Sequence, residues 1–428
     1  MNKMGFIEEL TWRGMIHDMM PGAKQELEKG STAGYIGFDP TADSLHIGSL
    51  VQIMILVHFQ KAGHKPIALV GGATGMVGDP SGKSQERNLL SKDVLDANIA
   101  GVKKQLQQFL DFECGQNSAE LVNNYDWFKG IDFLSFIRDV GKHITINYML
   151  AKDSVKSRME SGMSFTEFTY QLVQGYDFYW LFKNKDCKLQ LGGSDQWGNI
   201  VAGTELIRRK DGGEAFAITT PLIQKADGTK FGKTESGNVW LDPLKTSPYK
   251  FYQYWINSSD IDAEKYIKIF TLLDQSTINN IIESHQENPS QRMLQKELAK
   301  QVTTLVHGAA HFQAAKSASE ILFQKGSEAI EGLKSMSASL FLEVFEGVPQ
   351  ADIGADKIGS ISIVEALAGE TNFLKSNGEA RRALKENSIS VNKEKVNDQK
   401  IISSSDLISE KYVLLQKGKR NYFILKVV

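Results

Sequence analysis

Two short apolar runs, Ala33–Phe38 and Lys65–Val70, flank a longer apolar stretch that extends from about Gly48 to Ala62 and stops near Gly63. The outer runs have strand length and end in glycine-containing loops. The middle one has helix length and a glycine stop. Strand, helix, strand at this spacing argues a parallel βαβ unit. Ligands in such sheets sit beyond the carboxyl ends of the strands. The loops Gly37–Gly48 and Gly71–Arg87 leave those ends, so chemistry is sought there first. A further strand, Cys187–Leu191, runs into Gly192-Gly193-Ser194-Asp195-Gln196.

The first loop, Pro40-Thr41-Ala42-Asp43-Ser44-Leu45-His46-Ile47-Gly48-Ser49, delivers polar side chains to the start of the helix. A helix N-terminus carries unpaired N–H groups and a partial positive charge, so it attracts phosphate. Thr41 and His46 can add two donors, and Gly48, lacking Cβ, leaves room for a flat nucleotide against the backbone. The competing reading is a polar cap on a core helix with a buried histidine.

The 428 residues allow two to four domains, and 41% hydrophobic with 23% charged residues describes a globular chain. Cys114 and Cys187 are too few and too far apart for a disulfide framework or a zinc site, so a reducing, cytoplasmic compartment is expected. No apolar signal segment opens the chain and no run of about 18 apolar residues is present, so no membrane span is expected. The net charge of −2 does not announce a nucleic-acid partner, yet residues 357–428 carry 13 Lys and Arg against 8 Asp and Glu. That balance of +5 marks a distinct basic module. The block around 95–185 reads as a helix-rich insertion. Phe128, Phe133 and Phe136 there serve either a dimer surface or an internal core. Helices follow at Pro248–Ile256, Ala263–Leu273 and Met293–Ala318, and Val348–Ile361 lacks periodicity, as a linker does.

Three more segments carry candidate chemistry. Gly71–Arg87 is glycine-rich but is not a P-loop, because the required glycine five residues before Gly82 is Val77. Its glycines describe a backbone folded round something small, and Lys83 and Arg87, four apart, suit either solvent or a triphosphate. Ala226–Thr234 places Lys230 and Lys233 on a glycine-flanked loop. A triphosphate carries about four negative charges, and each cation within ~4 Å contributes about 4 kcal/mol at an effective dielectric of ~20. In Phe168–Asp177, Tyr170, Gln174 and Asp177 fall at i, i+4 and i+7 on one helix face. That stripe is either solvated or suited to recognising an amino acid.

Taken together, these segments resemble the bacterial-type tyrosyl-tRNA synthetases, a family of class I aminoacyl-tRNA synthetases, over nearly the whole chain. His46-Ile47-Gly48 resembles the family's HIGH element and Lys230-Phe231-Gly232-Lys233-Thr234 its KMSKS element. Residues 37–46, 78–83 and 192–199 resemble it as well. The resemblance implies an α/β, Rossmann-like parallel-sheet catalytic domain over 1–225. An α-helical domain over 226–345, a linker at 346–358 and an S4-like RNA-binding domain over 359–428 follow. It implies that Tyr35 and Asp177 address the substrate phenol, and that Asp79, Tyr170 and Gln174 hold its ammonium beside Gln196. ATP is implied at Asp39, Thr41, His46, Gly48, Gly193 and Asp195. Lys230 and Lys233 sit on a mobile phosphate loop, and Lys83 and Arg87 would add charge. Ser49 stands where the family has a second histidine, which puts a role for position 49 in ATP binding in doubt. Ser376–Val396 resembles the S4-like domain, where the helix Glu379–Glu386 displays Arg381 and Arg382 to RNA.

The chemistry so implied is tyrosyl adenylate formation with loss of pyrophosphate, followed by transfer to tRNA(Tyr). The substrate carboxylate is already ionised, so positioning and charge stabilisation suffice. Magnesium would accompany ATP without a dedicated protein site, and a homodimer follows from the resemblance. Competing readings are a tryptophan-type synthetase, a non-catalytic RNA-binding relative, and a zinc hydrolase built on His307 and His311 at i, i+4 spacing. The last lacks a third ligand.

Overall fold

A computed structural model describes residues 4–428 except 80, 82–89, 153–154, 157–158, 160–161, 235–236, 324–326 and 419–420. Lys83 and Arg87 therefore lie outside the described residues. The chain divides into two units, Met1–Thr246 with Ser258–Leu298, and Ser247–Asn257 with Ala299–Val428.

The first unit is built on six strands: β1 (Asp18–Met19), β2 (Ala33–Phe38), β3 (Lys65–Val70), β4 (Glu120–Asn123), β5 (Cys187–Gly193) and β6 (Phe216–Thr220), in the order β1-β6-β5-β2-β3-β4. Every neighbour from β6 to β4 is parallel, and only β1 is antiparallel. Strands β2 and β3 align from Ala33 opposite Lys65 to Phe38 opposite Val70. The connecting helix Ile47–Lys61 buries ten of its residues, which is why its apolar pattern is nearly continuous. From β2 the chain moves outward to β3 and β4, and from β5 it moves the other way to β6. The crevice at this reversal, beyond the ends of β2 and β5, is where such a sheet holds its ligand.

The expected insertion at 95–185 is corrected. Its residues Glu120–Asn123 are the outermost strand of the sheet, aligned from Ile67 opposite Glu120 to Val70 opposite Asn123. All four are half-buried, so they show neither alternation nor an apolar run. Phe128 and Phe136 are half-buried and pack round Tyr176 at 5.4 and 5.8 Å, whereas Phe133 is exposed. Helix Phe165–Lys185 crosses helix Trp197–Asp211 closely because glycines meet there: a Cβ on Gly175 would lie 3.4 Å from the backbone nitrogen of Gly203. Helix Asp260–Phe270 also belongs to this unit. The Arg13 guanidinium donates to the carbonyl of Lys268 in its last turn and to those of Thr271 and Leu273 just past its end.

The second unit contains helices Pro248–Ile256, Ala309–Phe323 and Ala338–Val344. The span 226–345 is thus shared between the units. The expected continuous helix over Met293–Ala318 breaks at Gly308, whose φ is +87°. The unit also holds a five-stranded sheet in the order Glu394–Lys395, Ile389–Val391, Tyr412–Lys417, Asn421–Val427, Gln350–Ile353. The stretch 346–358 is accordingly more than a linker. Gln350–Ile353 pairs in parallel with the last strand, Gln350 opposite Ile424, and a four-residue edge strand whose partner lies some seventy residues on has no local signature. Helix Asn377–Lys385 is capped by Ser376, buries Ala380, Ala383 and Leu384, and leaves Arg381 and Arg382 exposed.

His307 packs edge-on against Phe251, and His311 donates to the His307 carbonyl at 2.9 Å across the break at Gly308, so the two do not share the face of one continuous helix. Among the described residues, no group of three His, Cys, Asp or Glu side chains is arranged to hold a metal ion, and no helix is long and apolar enough to cross a membrane.

Candidate active site

A cavity of about 380 Å³ opens at the carboxyl ends of β2 and β5. It is lined by Tyr35, Asp79, Tyr170, Gln174, Asp177 and Gln196, all six residues expected to recognise an amino acid. Asp39, Thr41, His46, Gly48, Gly193 and Asp195, expected at the nucleotide, line it too. The i, i+4, i+7 stripe of helix Phe165–Lys185 therefore faces the cavity.

Asp177 is 1% exposed. Its Oδ1 accepts from Trp127 Nε1 at 2.9 Å and its Oδ2 from Asn124 Nδ2 at 3.0 Å. Burial pushes its carboxyl up to about 8, against the opposing pull of the two donors. The Tyr35 hydroxyl is buried and has no hydrogen-bond partner among the described residues. Burial, and then the charge of Asp177, hold its pKa well above the usual range, so the phenol keeps its proton. An orphaned donor beside a buried carboxylate is costly unless something fills the gap.

Asp39 bridges two elements, accepting from Thr74 Oγ1 at 2.7 Å and from the Tyr170 hydroxyl at 2.9 Å. Asp79 accepts from the Ser81 N–H at 2.9 Å and from Gln196 Nε2 at 2.7 Å. The glycines of the second loop make room for this polar layer: a Cβ on Gly71 would collide with Asp39 and Thr74, and one on Gly72 with Asn123. Asp39, Asp79, Asp177 and Asp195 line the cavity, while its described lining includes no Lys or Arg. Such a lining favours a cationic ligand group and keeps free phosphate out of the deep end.

The outer end differs. His46 is the N-cap of helix Ile47–Lys61, its Nδ1 accepting from the Gly48 N–H at 3.0 Å. The acceptor role of Nδ1 puts the neutral ring's proton on Nε2, which makes Nε2 the ring's donor. The expected open space over Gly48 is corrected, because a Cβ there would lie 2.7 Å from His46 Cε1: the imidazole occupies that place. Ser49 lines the cavity and bonds back to the His46 carbonyl through its N–H.

The loop carrying Lys230 and Lys233 reaches this same helix start. The Ile47 N–H donates to the Val239 carbonyl at 3.0 Å, and the Val239 N–H donates to Gly232. A Cβ on Gly232 would lie 3.3 Å from Ile47. Phe231 of this loop packs on Phe270 and Tyr266. Both lysines are exposed, and neither lines the cavity.

Several lining or supporting residues escaped the sequence reading. Gln190 lines the cavity from β5, and its buried Oε1 has no partner among the described residues. A glutamine in the apolar run Cys187–Leu191 was the available signal. Asn124, Trp127 and Thr74 act through Asp177 and Asp39. Nothing local in their segments announces this.

The raised Asp177 pKa has a consequence for stability. Its folded value lies above its unfolded one, so its contribution is complete below about pH 4 and is lost as pH rises toward 8. The melting temperature of the unliganded wild type, relative to that of Asp177→Asn, is expected to fall between pH 5 and pH 8. Parallel melting curves across that range would contradict this.

Comparison with known proteins identifies the family and the fold. Residues 27–324 match the family model of class I tRNA synthetases (W and Y), and residues 341–425 match a tyrosine–tRNA ligase SYY-like C-terminal domain. The tyrosine–tRNA ligase of Flavobacterium psychrophilum is 60% identical, covering 98% of this chain and 99% of its own length. That of Porphyromonas gingivalis is 57% identical, covering 99% of this chain and all of its own length. The crystal structure of a C-terminally truncated mitochondrial tyrosyl-tRNA synthetase from Aspergillus nidulans is 33% identical and superposes with a TM-score of 0.68, covering 75% of this chain and 95% of that one. With its parallel sheet, its cavity at the strand reversal and these relatives, the chain belongs to the class I tRNA synthetases of the tryptophan and tyrosine branch.

Proposed function

We propose that this enzyme activates L-tyrosine with ATP and transfers the tyrosyl group to the 3′ end of tRNA(Tyr). The observation that carries the choice of amino acid is the unpartnered Tyr35 hydroxyl beside buried Asp177. A phenol placed between them receives a hydrogen bond from Tyr35 and donates one to Asp177. The ammonium then meets Asp79, Tyr170 and Gln174, close to Gln196, and the substrate carboxylate is left facing the α-phosphate. That carboxylate is the nucleophile and needs no general base. Catalysis is alignment, plus neutralisation of the departing pyrophosphate.

The ATP phosphates lie at the start of helix Ile47–Lys61, with Thr41, Gly48 and the Nε2–H of His46. Asp39, Gly193 and Asp195 hold the nucleoside side, the last two at the ribose. Lys230 and Lys233 come over the phosphates when the loop moves, and Lys83 and Arg87 add charge. Magnesium arrives with ATP. Pyrophosphate exchange with tyrosine, tryptophan and phenylalanine in turn tests the reading. Exchange is expected with tyrosine, and exchange with tryptophan alone would favour the branch's other amino acid.

RNA binding belongs to residues 359–428, through Arg381 and Arg382 on their exposed helix, with the catalytic domain at 1–225 and helices between. The enzyme works as a homodimer in the cytoplasm. Helix Phe133–Asp139 supports a second copy as partner, since none of its seven residues is buried and Phe133 and Leu134 are 64% and 74% exposed. Leu134→Glu is expected to halve the molecular mass by light scattering. An unchanged mass would rule out this helix as the dimer face.

A further inference from the structure

The two donors on Asp177 are held in different ways. Asn124 is tied by its own amide: its Oδ1 accepts from the Ala73 N–H at 2.6 Å, and its Nδ2 also lies 3.1 Å from Thr74 Oγ1. Trp127 has a single polar side-chain atom, and that atom is used on Asp177. Its aim must come from packing. The indole of Trp180 lies almost parallel to it, with ring centroids 4.3 Å apart and planes 11° from each other. Trp180 is half-buried and is not among the cavity's lining residues. It stands three residues after Asp177 on helix Phe165–Lys185, so one helix face supplies the carboxylate and, a turn later, the ring beside the carboxylate's donor.

We propose that Trp180 is a positioning residue for recognition of the substrate hydroxyl: its stacked ring holds the Trp127 Nε1–H on Asp177 Oδ1 and so fixes the carboxylate that meets the phenol. Without a flat neighbour the Trp127 indole can tilt about its side-chain torsions. Asp177 then loses a directed donor and gains freedom to turn. Recognition of the hydroxyl weakens, while the ATP side of the cavity, which Trp180 does not approach, keeps its affinity. The inference rests on Asp177 contacting the phenol.

Trp180→Leu fills volume without a plane, and Trp180→Phe keeps a smaller plane. In pyrophosphate exchange with the full-length enzyme, the leucine variant is expected to raise KM for tyrosine about tenfold. It should lower the preference for tyrosine over phenylalanine by a similar factor, the scale of one lost aromatic stack. KM for ATP should stay within about twofold, and the phenylalanine variant should recover most of the preference. If leucine does not fold, Trp180→Met, unbranched and flexible, carries the same comparison. Leucine and phenylalanine variants with equal preference, or tyrosine and ATP KM values rising together, would overturn the proposal. Asp177→Asn separates the two levels: if it lowers the preference and Trp180→Leu does not, only the role of Trp180 fails. If neither does, the reading of Asp177 fails with it.

Discussion

Asp177→Asn should lower kcat/KM for tyrosine in pyrophosphate exchange by about a hundredfold or more while leaving KM for ATP within a few-fold. Two losses combine. The substrate hydroxyl loses the carboxyl acceptor it was placed to meet, a bond worth about 0.5–1.5 kcal/mol. The asparagine amide must also turn an N–H toward either Trp127 Nε1 or Asn124 Nδ2, both of which are donors. One buried donor is left facing another, adding about 1–3 kcal/mol of unmet desolvation. Together these exceed the 1.4 kcal/mol per tenfold that sets the scale. Phenylalanine, which has no hydroxyl to bind, should lose far less. Equal losses for tyrosine and ATP would show that Asp177 serves the fold of the cavity and not the choice of amino acid.

Ending the chain at Gly347 should leave tyrosine-dependent pyrophosphate exchange within about threefold of wild type and lower tRNA charging by about a hundredfold or more. The cavity, the start of helix Ile47–Lys61 and the Lys230 loop all lie in the first unit, whose residues end at Leu298. The removed part contains the basic stretch and both candidate arginines, and a loss of several phosphate contacts has effects of this size at moderate salt. The cut belongs before Gln350, because Gln350–Ile353 is a strand of the sheet being removed. It also uncovers Phe341 and Phe345, which pack on Tyr412 and Tyr422, so Tm should fall even where exchange survives. Full charging by the shortened chain would show that RNA is held elsewhere.

What the sequence disclosed tracks how local the physics is. The β2–helix–β3 unit was legible because two apolar runs and a glycine stop lie within forty residues, and the Tyr170–Asp177 stripe because helical periodicity puts it on one face. β4 was not, since its four half-buried residues become a strand only against Ile67–Val70. The Asp177 donors were not either. Asn124 and Trp127 lie about fifty residues upstream, and an asparagine and a tryptophan after a short strand have many uses. His46 was read as a ligand or as a cap. It is a cap, and that role places the neutral ring's proton on Nε2.

The last strand, Asn421–Val427, lies between Tyr412–Lys417 and Gln350–Ile353 in the C-terminal sheet. Those two neighbours meet only through it. Taking that strand out would strip Gln350–Ile353 of its ladder and lay open one side of Tyr412–Lys417, and a bare row of N–H and C=O groups is a template for pairing with another chain. A variant shortened inside this sheet is therefore expected to aggregate sooner than one cut before Gln350.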